Sequence, residues 1–369
     1  MEVLERAFEL EAQGRSVIHL EVGEPDFDTP EVVREAGVQA IRDGHTHYTH
    51  SLGMIGLREA ICEWQLAQYG VRVDPGQVVV TSGSSAAMLL VFAALLDPGN
   101  RVLLTDPGYP CYAKFVQAFE GEPVQIAVRE EDAFQFPLGR LREELTDQTR
   151  AVVVNSPSNP TGTVSGPDYL ERVCRVSDSQ ALVVSDEIYH GLVYEGEAHS
   201  ILEYTDHAVV INGFSKLFAM TGWRLGYAIL PKHLVRPVQK LQQNLLISAP
   251  DFAQHAAIVA LRQAGDDVRR MRDEYDRRRK VVLNALAEIG LKIAVEPTGA
   301  FYVFVNVSRY TENVYDFSFE LLEKAGVAVT PGVDFGSNGE GYVRICYANS
   351  MEKIEEGMTR LKTFFSKLD

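Results

Sequence analysis

The chain has 369 residues, 46% hydrophobic and 23% charged, a globular composition with length enough to bury a large core. Its 35 Lys and Arg against 51 Asp and Glu leave a formal charge of −16. That balance argues against nucleic acid and anionic membrane as partners, because both are bound through clustered cations.

The N-terminal stretch is too charged for a signal-peptide core. Apolar residues 3, 4, 7, 8 and 12 fall at helical spacing over 2–13, and Gly14 follows as a stop. Residues 17–22 read as a short strand and 23–30 as a loop rich in Gly, Pro and Asp. A helix is expected over 30–43, with Thr29 as its N-cap and Pro30 in its first position. The four cysteines, Cys62, Cys111, Cys174 and Cys346, form no C-x-x-C pair. They read as reduced thiols of a cytoplasmic protein, with no disulfide framework.

Between residues 55 and 230, short β-branched runs alternate with helical patterns. The runs lie at 78–81, 102–105, 124–128, 151–155, 182–185, 208–211 and 226–230. The alternation predicts an α/β fold with a seven-stranded, mostly parallel sheet covered by helices. The longest apolar run, 86–96, is well short of the roughly 20 residues that span a bilayer. Residues 232–289 read as helices. Strands at 299–306, 327–330 and 342–348, with helices at 313–325 and 351–367, form a smaller α+β unit. The arginines within 269–280 alternate with Asp273, Glu274 and Asp276, the pattern of a solvated helix face.

Ligands of such sheets bind in the loops after the strands. After 78–81 come Ser82-Gly83-Ser84-Ser85, small residues that open a helix and let backbone N–H groups approach an anion. The turn is neither G-x-G-x-x-G nor G-x-x-x-x-G-K-[ST], which argues against dinucleotide and nucleoside-triphosphate folds. Asp186 ends the strand at 182–185, where it could serve a cationic ligand atom or simply cap a helix. Lys216 follows the strand at 208–211, where it could form a Schiff base with an aldehyde or snorkel to the surface. Arg224, eight residues on, could fork a phosphate or be an ordinary surface arginine.

Taken together, Asp186, Ser215-Lys216-Leu217-Phe218-Ala219-Met220-Thr221-Gly222-Trp223-Arg224 and Asn155-Ser156-Pro157-Ser158-Asn159-Pro160 resemble the fold-type I pyridoxal-phosphate enzymes. The match is to the class I/II, aspartate aminotransferase-like family, over essentially the whole chain. The resemblance implies that Lys216 forms the internal aldimine and shuttles the α-proton. Asp186 would pair with the pyridine nitrogen. Asn159 and Tyr189 would hydrogen-bond the phenolic oxygen, and Tyr109 would stack on the ring. Ser84, Ser85, Ser215 and Arg224 would cradle the phosphate. Tyr48 would reach the phosphate of a partner's site, which implies a homodimer. Arg344, Asn159 and the backbone at Gly23 would take the substrate carboxylate. The implied organisation is an N-terminal arm at 1–42 that also enters the small domain, a large cofactor domain at 43–250, and an interdomain helix with the small domain at 251–369.

The expected activity is transfer of an amino group between an L-amino acid and a 2-oxo acid. The alternative is a C–S β-lyase acting on cysteine conjugates or cystathionine. An aspartate-specific subgroup of the family carries lysine where this chain has Ser85, so a neutral or aromatic substrate side chain is expected. His45, His47 and His50 are dense, but Asp43 is the one acid near them, and no metal site is expected.

Overall fold

A computed structural model describes residues 2–177 and 180–368. Its central sheet has seven strands in the order Val78–Thr81, Gly226–Ile229, Ala208–Gly213, Leu182–Asp186, Thr149–Asn155, Arg101–Asp106, Glu122–Ala127. Gly226–Ile229 runs antiparallel to both neighbours, and every other pair is parallel. The expected mixed, mostly parallel sheet is therefore the one that forms. Val78–Thr81, Leu182–Asp186, Ala208–Gly213 and Gly226–Ile229 are buried at every position. Helices on both faces explain why these strands are continuous apolar runs and do not alternate. The helix Ser84–Leu95 is apolar all round because it packs between the sheet and the helix Lys232–Leu245.

A second, antiparallel sheet joins Thr330–Pro331, Tyr342–Cys346 and Tyr302–Asn306. Beside it, Ile18–His19 pairs in parallel with Val327–Ala328, so the start of the chain is built into its C-terminal part. Only these two residues of the expected strand at 17–22 join a ladder. Beyond them the backbone serves single donors: Leu20 O accepts from Cys346 N at 2.7 Å, and Glu21 O accepts from the Arg344 guanidinium and the Thr330 hydroxyl.

Two local expectations are corrected. Thr29 does not cap the following helix, which runs Glu31–Arg42 behind an uncapped Pro30. The Thr29 hydroxyl donates instead to Ala219 O at 2.6 Å and accepts from Trp223 Nε1 at 3.0 Å. With Thr221 Oγ1 bonded to the Glu24 carboxylate, these contacts latch the 23–30 loop onto the segment after Lys216. The arginine run is also not wholly solvated. Arg278 is buried against Asp26 and Glu274 at 2.7 and 2.9 Å, and Arg279 is buried among Asp276, Glu195 and Glu296. A charge run reads as solvated when its partners are distant in sequence. The four cysteines are free, and no helix among the described residues is long and apolar enough to cross a membrane.

Candidate active site

The carboxyl ends of the parallel strands open on a cavity of about 240 Å³. Of the residues singled out from sequence, Gly23, Ser84, Ser85, Tyr109, Asn159, Asp186, Tyr189, Lys216 and Arg344 line it. They come from both ends of the chain and from five loops of the central sheet and its surroundings, so no linear stretch contains the site.

Lys216 lies just past Ala208–Gly213, and its Nζ donates to Gly23 O at 2.7 Å. Burial pushes the amine down to about 8, because an ammonium loses its hydration there. Asp186 ends the neighbouring strand. Its Oδ2 accepts from the Tyr112 hydroxyl at 2.6 Å and its Oδ1 from Ile188 N at 3.2 Å. Burial raises its carboxyl to about 6, and those two hydrogen bonds and Lys216 offset only part of the rise. An acid and an amine that both resist ionisation thus share one cavity, a common signature of a functional site.

Arg344 projects from Tyr342–Cys346. Its Nη1 donates to Asn159 Oδ1 at 2.9 Å, and its Nη2 to Thr330 Oγ1 at 3.2 Å and to Glu21 O. The guanidinium lies against the rings of Tyr302 and Phe335, at 4.5 and 4.9 Å from their centroids. Its Nε is buried without a partner. Asn159 is itself held: its backbone N donates to Asn155 Oδ1 at 2.8 Å, and Asn155 Nδ2 donates to Asp186 O at 3.0 Å. The Tyr189 and Tyr302 hydroxyls bond each other at 2.7 Å. Burial pushes both phenols up, so both stay protonated and able to donate.

Arg224 stands beside the cavity. It sits in the left-handed region, at φ 53°, with Nη1 on Thr221 O at 3.0 Å. A Cβ on Gly83 would lie 2.6 Å from its Nη2, and one on Gly226 would lie 2.5 Å from Ser84 N. Glycine at both places lets the guanidinium and the strand close on the first turn of Ser84–Leu95. A cation, two hydroxyls and a helix N-terminus therefore face the same region, which is an anion cradle. Ser215 is buried next to Lys216. Tyr48 is 80% exposed and is not among the residues lining this cavity.

Tyr112 and Tyr302 also line the site and were not singled out from sequence; Asn155, quoted above only within its motif, lines it too. Tyr112 had a usable signal: it lies three residues after Tyr109 at the start of a helix, so the two share a side, and their rings meet edge to face at 5.2 Å. Tyr302 had none, since only the packing of the second sheet brings it here. His47 is exposed and His50 accepts from Leu52 N at 3.1 Å, so neither meets His45 as a ligand set.

The family model described as aminotransferase class I and II matches residues 15–361. A (5-formylfuran-3-yl)methyl phosphate transaminase of Methanocaldococcus jannaschii is 41% identical, covering 100% of this chain and 96% of the relative. An aspartate aminotransferase of Pyrococcus horikoshii is 39% identical over 98% of this chain and 93% of its own. The crystal structure of an aromatic aminotransferase from Pyrococcus horikoshii superposes with a TM-score of 0.92 at 39% identity, covering 99% of both chains.

The position of Asp186 has a consequence for stability. Its folded carboxyl titrates above its ordinary value of 3.8, at about 6, so the folded cofactor-free chain binds the extra proton in that window. Stability should therefore fall as pH rises through it, by up to about 3 kcal/mol from this group. In urea unfolding of the cofactor-free protein, Asp186→Asn is expected to make the fall between pH 4 and 6 shallower than in the parent, leaving the part due to Glu187, which burial pushes up to about 8. An Asn variant whose fall is as steep as the parent's would show that Asp186 does not contribute to it.

Proposed function

The chain belongs to the class I and II aminotransferases, and from that membership we propose how its own residues divide the work. It is a pyridoxal-phosphate-dependent aminotransferase that moves an amino group between an amino acid and a 2-oxo acid. The names of its relatives lend no support to the lyase alternative.

The donor set fits the cofactor. The anion cradle of Ser84, Ser85 and Arg224, joined by Ser215, suits a phosphate. Buried Asp186 suits a protonated ring nitrogen, and the neutral Tyr189 phenol and Asn159 suit a phenolate. Tyr109 would cover the ring. When bound, the cofactor supplies an aldehyde that condenses with amines and a ring that accepts electrons from the substrate α-carbon.

The observation that carries this division is the placement of Lys216 and Asp186 at the ends of neighbouring strands in one cavity that also holds Arg344. Asp186 would accept the hydrogen bond of the ring nitrogen and keep a proton there. Lys216, with its amine held near 8, has a neutral fraction at neutral pH that can take the α-proton on Nζ and return it. Arg344 grips the substrate carboxylate with its guanidinium, while Asn159 holds Nη1 in place. The latched 23–30 loop, with Gly23 at its start, covers Lys216 and keeps water from the α-carbon. Residues 1–42 and 251–369 then supply substrate contacts, and residues 43–250 hold the cofactor.

Exposed Tyr48 has no role within its own protomer's cavity, which supports its serving the phosphate of a second copy in a homodimer. The free thiols fit the cytoplasm. Among the described residues lining the cavity, the cations are Lys216 and Arg344, and Ser85 brings no third. That favours amino acids with a neutral or aromatic side chain over aspartate.

Lys216→Ala is expected to bind the cofactor yet lose at least about a thousandfold in turnover, and near-normal turnover would remove the assignment. Tyr48→Ala should bind cofactor more weakly. Mixed dimers of the two variants should recover activity that neither has alone, because one site then has both side chains; no recovery would refute the shared site. Spectral half-reactions with a panel of amino acids should run at least about tenfold faster with neutral or aromatic side chains than with aspartate, and the reverse order would refute that preference.

A further inference from the structure

We propose that His45, Asp251 and His255 form a binding site for a divalent transition-metal ion, away from the cavity, that ties the stretch leading to Tyr48 onto the helix Asp251–Gln263. Asp251 and His255 are four residues apart in that helix and share a face. His45 lies just beyond the helix Glu31–Arg42, which packs along Asp251–Gln263.

The three side chains converge without satisfying one another. His45 Nδ1 is 3.7 Å from Asp251 Oδ2, and His255 Nε2 is 3.5 Å from Asp251 Oδ1. One ligand atom from each of the three lies within 4.8 Å of the others. The imidazole rings lie with centroids 3.9 Å apart and planes tilted by 33°. His255 Nε2 is buried and has no hydrogen-bond partner. A tetrahedral ion at about 2.0–2.2 Å from each ligand sets neighbouring ligand atoms roughly 3.3–3.6 Å apart. Both contacts, each to a different oxygen of Asp251, are too long or misdirected for hydrogen bonds and fall near the spacing of ligand atoms around one ion.

The chemistry selects the ion. Two imidazoles and one carboxylate suit zinc, cobalt or nickel; magnesium and calcium prefer all-oxygen sets. Asp43, which accepts from Gln39 Nε2 at 2.7 Å, adds negative charge near His255. An ion here would cross-link the connection at residues 43–50 to a helix far away in sequence and stabilise the folded state by mass action.

The test is zinc titration of chelator-treated holoenzyme by calorimetry, with cobalt(II) absorption as a second probe. The expected result is one ion per chain, with affinity lowered at least about tenfold by each of His45→Ala, Asp251→Asn and His255→Ala and unchanged by His47→Ala. Zinc should also raise the Tm of the parent and not of His45→Ala, a change in a partly exposed side chain that leaves the core intact. Absence of saturable binding, or affinity undiminished in any of the three variants, would overturn the proposal.

Discussion

Burying an acid and an amine in one cavity is the constraint on which the rest of this molecule turns. Asp186 and Lys216 follow adjacent strands, and neither is charged without cost, as their values of about 6 and about 8 record. Each is held by partners that the fold must bring from elsewhere. Tyr112 comes from the helix after Arg101–Asp106, and the Gly23 carbonyl comes from the start of the chain. A cofactor with a cationic ring nitrogen and an aldehyde would relieve both costs, which is why Asp186 and Lys216 suit the group that the family uses.

That constraint explains why both ends of the chain enter one structure. Ile18–His19 pairs with Val327–Ala328, and Arg344 takes the carbonyl of Glu21. These contacts and the Glu24 carboxylate on Thr221 fix the start of the 23–30 loop, and Thr29 with Trp223 fixes its end. The loop therefore moves with the second sheet and with the lysine segment together. A carboxylate gripped by Arg344 is consequently set over Lys216 by the fold, with little left to loop motion.

The parts of the site legible in sequence are those where a strand ends and a chemically unusual residue follows, as at Asp186, Lys216 and the Ser84-Ser85 turn. Strand alternation even separates neighbours there. Asp186 faces the cavity, while Glu187 turns into a buried network with Ser185, Ser200 and Ile201 N and is pushed up to about 8. What stayed hidden depends on contacts between distant segments. Tyr302 reaches the site through a separate sheet, Thr29 gives up its capping role for a carbonyl 190 residues away, and Arg279 finds acids outside its own helix. Local propensity cannot record such partners, because it carries no information on which segments meet. The small residues Gly83 and Gly226 show the same limit: their meaning lies in the close approach of Arg224 and Ser84.

The most direct test of the central claim is borohydride reduction of the holoenzyme followed by peptide mass mapping. Reduction fixes the cofactor's aldehyde carbon on whichever amine has condensed with it. The placement of Lys216 in the cavity, with its amine held low by burial, predicts a single adduct on Lys216 that disappears when an amino-acid substrate is added first. An adduct on another lysine, or none on a chain that carries the cofactor, would contradict the account.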